Sequence, residues 1–216
     1  MSQYVVVDFE MCKVAKNRRT KEYHRSQEII QIGAALLNEQ YEQVETFDRF
    51  VLPKYGCLDR TISKLTGITD DNLCNADSLE TVLQEFIDWI PEDAVLVSWS
   101  ESDKTQLANE TREKNITNDR LPVILEQWID SQKMFDDRLE LRDALSLNNA
   151  LIYANITEEG RAHNGLADAV NTAKLFRKMM TEPELILNSY YIEARKEEVE
   201  HLSYSLGELF ANLTFA

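Results

Sequence analysis

The sequence predicts an α/β fold, a mixed sheet of five strands flanked by helices, and three observations carry that prediction. An apolar hairpin comes early: Glu28 to Leu37 reads as a buried strand, Asn38-Glu39-Gln40 as a turn, and about Val44 to Leu52, closed by Pro53, as the partner strand. Strand and helix signals alternate after it, the pattern of a sheet layered with helices. The first apolar run, Val5-Val6-Val7, is apolar on both faces, as a central strand covered on both sides must be.

Taken in order, the opening strand runs out of its apolar residues at Asp8-Phe9-Glu10. Alternation turns Asp8 and Glu10 to the same side, about 6–7 Å apart along the backbone. Such a like-charge pair either calls for positive partners or marks a strand that ends in a solvated acidic loop. Lys13, Lys16, Arg18, Arg19, Lys21 and Arg25 follow against the single acid Glu22, and on charge alone they read equally as a solvated loop or a phosphate-contacting one. Leu58–Leu65 is predicted as a short helix, broken at the glycine of Thr66-Gly67-Ile68-Thr69. Asp77-Ser78-Leu79-Glu80 supplies an N-cap with an acid three residues on, and Leu79, Val82, Leu83, Phe86, Ile87 and Ile90 hold a 3.6-residue stripe as far as Pro91. Ala94–Trp99 is a further apolar strand, and Ser100-Glu101-Ser102-Asp103 leads from it into a helix ending near Lys114. Val123–Ile129 is predicted as the fifth strand and Leu141–Tyr153 as a helix. Gly160–His163 is a loop before a helix from about Asn164 to Met180, with Leu166, Val170, Ala173 and Phe176 inward. Pro183 divides the chain into a domain at 1–182 and an extension at 183–216, expected as one or two helices packed on the domain.

With 216 residues the chain is long enough for a sizeable core, and its 44% hydrophobic and 28% charged content is that of an ordinary soluble globular protein. That composition argues against fibrous and membrane-spanning classes. Met1-Ser2-Gln3 lacks a basic lead-in, and Val5–Val7 is too short for a signal peptide or a membrane span, so a cytoplasmic location is expected. The three cysteines, Cys12, Cys57 and Cys74, lack metal-site spacing and are expected as reduced, small packing residues. A net charge of −15, from 38 acids against 23 bases, opposes non-specific adhesion to nucleic acid or anionic membrane. Contact with a polyanion must be local.

Three more residues lie at element boundaries, and each alone has an ordinary structural role. Asp103 can cap its helix, Asp168 can be a first-turn acid, and His163 can be a solvated loop residue. Together with Asp8 and Glu10 they fit one chemistry. Phosphodiester hydrolysis needs a water made nucleophilic near neutral pH and a charged phosphorus centre that is stabilised. Four carboxylates can hold two Mg²⁺ ions roughly 3.5–4 Å apart, and a neutral histidine beside the water can take its proton.

The order and surroundings of these residues resemble the DEDDh 3′-to-5′ exonucleases of the RNase H-like fold. Val7-Asp8-Phe9-Glu10-Met11-Cys12 is similar to the Asp-Phe-Glu-x-x-Cys form of the Eri-type branch, whose members trim RNA 3′ ends. Val97-Ser98-Trp99-Ser100-Glu101-Ser102-Asp103 resembles that branch's strand-to-helix motif, and His163-Asn164-Gly165-Leu166-Ala167-Asp168-Ala169 its histidine motif. Thr66–Thr69 and Glu28–Leu37 resemble two further segments, so the likeness runs from about Tyr4 to Met180. The resemblance implies removal of nucleoside 5′-monophosphates from a 3′ end, RNA favoured over DNA, with two Mg²⁺ or Mn²⁺ ions. Asp8, Glu10, Asp103 and Asp168 would bind the metals and His163 would be the general base. Phe9 and Met11, with their backbone, would pack on the terminal nucleotide, and Thr66 and Gly67 would line its approach. Lys16, Arg18 and Arg19 are the candidate phosphate contacts, on charge. Ala167 stands where many relatives carry aspartate and Gln31 where many carry glutamate; neither is one of the four metal acids. The same chemistry on DNA, as in proofreading, and a non-cleaving nucleic-acid or partner-binding protein of the same fold are the alternatives. Oligomeric state is left open.

Overall fold

The structure is a computed structural model that describes residues 2–141 and 143–193. Its centre is β1 (Tyr4–Lys13), followed by a one-turn 3-10 helix at Lys16–Arg18 and the hairpin of β2 (Gln27–Leu37) and β3 (Gln43–Leu52). Next come α1 (Arg60–Thr66), α2 (Asp70–Cys74), β4 (Asp77–Ser78), α3 (Leu79–Trp89), β5 (Val95–Ser98) and α4 (Glu101–Lys114). Then follow α5 (Leu121–Glu126), β6 (Trp128–Asp130), α6 (Ser131–Leu139), α7 (Leu147–Tyr153) and α8 (Gly165–Thr181). The strands form one mixed sheet in the order β4-β3-β2-β1-β5-β6. β2 is antiparallel to both β1 and β3, whereas β5 lies parallel to β1 and β6 parallel to β5.

Side-chain alternation along β1 builds the two layers. Val5, Val7 and Phe9 enter a core shared with α3, Leu107 of α4 and Leu121 and Ile124 of α5. Val6 enters the opposite core, shared with Phe135 of α6, Leu151 of α7 and Phe176 of α8. Asp8 and Glu10 continue the Val6 side, so they face the layer that holds α8. Pairing with β2 continues to Lys13 across a bulge between Glu10 and Met11, while pairing with β5 stops at Val6–Val97. The acids therefore stand beyond the end of β5, where an open α/β sheet leaves a crevice.

A buried polar network anchors the basic segment beside that crevice. The Glu28 carboxylate accepts the N–H groups of Lys54, Tyr55 and Gly56 at 2.7, 2.8 and 2.6 Å and pairs with Lys114 Nζ at 2.6 Å. Glu110 accepts from Ile29 N–H and from the same lysine. Lys114 lies over the ring of Tyr23, which stacks on Tyr55. Each buried charge is thus partnered, without which burial would be costly.

Several expectations are corrected. Val123–Ile129 is mainly helical: Pro122 lies in the first turn of the short α5, and only Trp128–Asp130 is strand. The two-residue β4 brings the sheet to six strands. The helix expected from Leu141 begins at Leu147, capped by Ser146, and α6 occupies Ser131–Leu139, capped by Asp130. Ser78, not Asp77, caps α3 by accepting from Thr81 N–H. Cys12 is buried, but Cys57 and Cys74 are exposed and do not fill the core. At 183–193, Leu185 packs on the α8-side core and Asn188 N–H donates to the Tyr153 carbonyl at 2.8 Å. The remainder of the expected helical extension, 194–216, lies outside the described residues.

Candidate active site

The first turn of α8 crosses the β1–β2 pair where Asp8 is opposite Gly33. The crossing requires glycine at position 33 and is tight at Gly165. A Cβ on Gly33 would lie 2.1 Å from the Gly165 carbonyl carbon, and one on Gly165 would lie 3.1 Å from the Asp8 carbonyl oxygen. Gln31, fully buried and on the same face as Gly33, fastens the helix by accepting from Gly165 N–H at 3.2 Å. Its amide nitrogen in turn donates to Asp48 Oδ1 on β3 at 2.8 Å. Asn164 caps the helix by accepting from Ala167 N–H. One turn into α8, Asp168 then hangs over the strand that carries Asp8 and Glu10.

These three carboxylates converge, each offering an oxygen within 4.8 Å of the other two. Asp103 approaches from the opposite layer. Its Oδ1 accepts the Phe9 N–H at 3.1 Å, a backbone donor left without a strand partner where β5 has ended. Burial raises all four acids; neighbouring carboxylates raise Asp8 and Glu10 further, whereas hydrogen bonds and the His163 loop oppose the rise at Asp103 and Asp168. Asp8 is pushed well up by burial and then by Asp103, Glu10 and Asp168. Glu10 is pushed up to about 8 by burial and then by Asp168 and Asp103. Asp103 reaches about 6 through burial, opposed chiefly by the Phe9 N–H. Asp168 is raised by burial, and the His163 N–H and ring charge pull it back. A pocket that strains four carboxylates against ionisation is one that a divalent cation would relieve, so the donor set fits a hard metal ion held by oxygens.

His163 is exposed and adopts a left-handed backbone, φ +60°. Its N–H donates to Asp168 Oδ2 at 2.9 Å, which ties this loop to the acid cluster. Among the other expected residues, Met11 is partly buried and Phe9 has its ring in the α3-side core, only 4% exposed. The Phe9 side chain is thus turned away from the acids, and what the residue offers at the crevice is its backbone. Thr66 is buried and caps nothing outward, its hydroxyl donating to the Ile62 carbonyl at 2.9 Å. Gly67 ends α1 at φ +80° against the Arg161 guanidinium. Lys16 and Arg18 are exposed on the 3-10 turn, and Arg19 Nε donates to the Val14 carbonyl at 3.3 Å. Sequence reasoning missed the bracing role of Gln31 and the contact of Arg161 with α1. The available signal was glycine: Gly33 interrupts an apolar strand and Gly165 opens a helix, both marks of close backbone approach.

Comparisons with known proteins identify relatives of the chain. The family model RNase_T, described as exonuclease, matches residues 5–176. The chain is 31% identical over 206 residues to ERI1 exoribonuclease 2 of Danio rerio, covering 82% of this chain and 35% of that protein. It is 26% identical to the 3′-5′ exonuclease Snipper of Drosophila melanogaster, covering 85% of this chain and 71% of that one. The chain thus spans about a third of the length of the first relative and most of the second. Among solved structures, the nuclease domain of 3′hExo, a DEDDh family member bound to rAMP, superposes with a TM-score of 0.71 at 24% identity, covering 87% of this chain and 96% of that one. With a family model spanning most of its length, this chain belongs to the RNase_T exonuclease family.

Proposed function

We propose that the protein is a 3′-to-5′ exonuclease that removes nucleoside 5′-monophosphates from the 3′ end of RNA. The observation that carries this reading is the convergence of Asp8, Glu10 and Asp168 within 4.8 Å beside a loop histidine whose backbone is bonded to one of them. RNA is favoured by the exoribonuclease names of the relatives. Asp8, Glu10, Asp103 and Asp168 would hold two ions of Mg²⁺ or Mn²⁺. When bound, these ions lower the pKa of a water and offset charge on the phosphorus.

The protein's own contributions follow from placement. His163, held at the rim by Asp168, is exposed and free to take the proton of the attacking water. The Phe9–Met11 backbone and Gly67 would line the approach of the terminal nucleotide, and Lys16, Arg18 and Arg19 would contact phosphates. On this reading 1–182 is the catalytic domain and 183–216 an extension, of which Leu185 and Asn188 contact the domain. Among the described residues no helix is long and apolar enough to cross a membrane. With three free thiols, a reducing cytoplasmic setting is the consistent one.

End-labelled RNA and DNA oligomers incubated with Mg²⁺ or Mn²⁺ test the proposal. Stepwise shortening from a free 3′ hydroxyl, faster on RNA and abolished by EDTA or by Asp8→Ala, is expected. Cutting inside a 3′-blocked oligomer, or activity that survives EDTA, would overturn it. Faster shortening of DNA would transfer the same chemistry to that substrate.

A further inference from the structure

Several cations of this acidic protein have no carboxylate partner among the described residues, and five of them lie along one side of α1 and its flanking loops. Arg25, Arg49, Lys174, Arg177 and Lys178 are each paired with a glutamate. Among the described residues, Lys16, Arg18, Arg60, Lys64 and Arg161 have no carboxylate within ion-pair distance.

Their contacts set them in a row. Arg161 lies two residues before His163, donates from Nη2 to the Lys64 carbonyl and rests against Gly67. Lys64 and Arg60 are exposed on α1, where with Thr61 and Leu65 they line an open depression of about 540 Å³. At the other end of α1, Asp59 caps the helix and pairs with Lys13 at 3.4 Å. Lys13 then joins Lys16 and Arg19 in a cleft of about 640 Å³ that Cys57 and Asp59 also line. The row begins beside the acid cluster and runs the length of α1, about 10 Å at 1.5 Å per residue, before it reaches the basic segment.

We infer that the outer face of α1, with Arg161, is a cationic track that carries single-stranded nucleic acid from the acid pocket to the Lys13–Arg19 cleft. The inference rests on the exonuclease reading and deepens it by naming where the strand upstream of the scissile bond is held. Arg161 meets the phosphate next to the site, Lys64 and Arg60 meet those further along, and exposed Leu65 offers a base an apolar surface. The net charge of −15 disfavours contact with a polyanion elsewhere, so the track would set the direction from which substrate enters.

The test uses the double variant Arg60→Ala/Lys64→Ala in the full chain. Both residues are exposed on a helix, and alanine suits a helix, so the fold should persist. Affinity for 5′-labelled oligouridines of two and twelve nucleotides is measured by anisotropy in EDTA, over a range of salt. The variant should bind the dodecamer more weakly, with a log–log salt slope shallower by about 1.4, since each single-strand phosphate contact contributes about 0.7. Its loss on the dinucleotide, too short to reach α1, should be much smaller. Unchanged affinity and slope for the dodecamer would overturn the track, as would an equal fold-loss at both lengths. Turnover by the wild-type protein in Mn²⁺ is read separately. A wild type that binds with the expected slope change yet degrades neither oligomer would leave the track standing and remove the exonuclease reading.

Discussion

His163 sits at φ +60°, a conformation that costs a non-glycine residue of order 1–3 kcal/mol and persists only when its surroundings hold it. Here the holding contact is its own N–H on Asp168 Oδ2, so backbone and imidazole have separable roles. His163→Gly keeps the left-handed backbone and the N–H while deleting the ring. Turnover should fall by roughly 10²–10⁴-fold with Tm unchanged or raised; a variant with near wild-type turnover would exclude the imidazole as general base. Gln31 is the second residue whose chemistry is fixed by two partners of opposite demand, since it accepts from Gly165 N–H and donates to the Asp48 carboxylate. Glutamate has the same shape but no donor, and it would face Asp48 while lying opposite Glu10 in the strand register. Gln31→Glu should therefore lower stability by about 1–3 kcal/mol at neutral pH. The deficit should shrink on acidification, and thermal melts at pH 5 and pH 8 would show it. An equal Tm deficit at both values would trace the loss to packing rather than charge.

At the scale of elements, the site depends on how closely α8 approaches the sheet. Gly33→Ala would place a methyl group 2.1 Å from the Gly165 backbone, so α8 must lift from the β1–β2 pair and carry Asp168 away from Asp8. Overpacking of this kind costs roughly 1–3 kcal/mol; activity should fall far more than stability, and a variant with intact kcat would show that Asp168 tolerates displacement. How far such elements could be read from the sequence depended on how strongly their local signals agree. β1, β2, β3, β5, α3, α4 and α8 were legible because apolar runs or 3.6-residue stripes ended at clear breaks such as Pro53, Pro91 and Gly160. α5 and β6 were not. Val123-Ile124-Leu125 is a short apolar run that periodicity cannot assign, and the chain turns from helix to strand within a single residue, Gln127. α6 escaped notice because its stripe is short and carries many charges, with Phe135 as its fully buried anchor. Asp8 and Glu10 drew notice because the apolar run of β1 gives way to acids there, and Asp103, Asp168 and His163 because they lie at or beside helix starts, whereas Gln31 acts through contacts between segments distant in sequence. The Phe9 ring was misplaced for a simpler reason: alternation that turns Asp8 and Glu10 to the crevice must turn Phe9 to the core.

For the whole molecule, the acid pocket sets how stability answers to pH and metal. The four site acids have folded-state values above their ordinary ones, so between about pH 4 and pH 8 the folded protein binds more protons than the unfolded chain. Stability then falls as pH rises. The contribution is complete below the unfolded values near 4. It is lost as pH passes about 6 for Asp103 and about 8 for Glu10. Glu22, Asp59 and Glu113 are shifted the other way, and they act below the ordinary carboxylate range, outside this window. In EDTA the Tm should therefore decline steadily from pH 5 to pH 8.5. Mg²⁺ or Mn²⁺ binds the ionised, folded arrangement and should reverse the decline, by about 1.4 kcal/mol at ten times Kd. Asp8→Asn removes one of the crowded charges at nearly constant shape. Without metal it should melt no lower than wild type at pH 8, show a shallower pH dependence, and gain much less from added ion. A wild-type Tm that rises from pH 5 to pH 8 in EDTA, or an Asp8→Asn protein that melts well below wild type and keeps its full response to Mg²⁺, would make Asp8 a structural acid and leave the cluster without its metal.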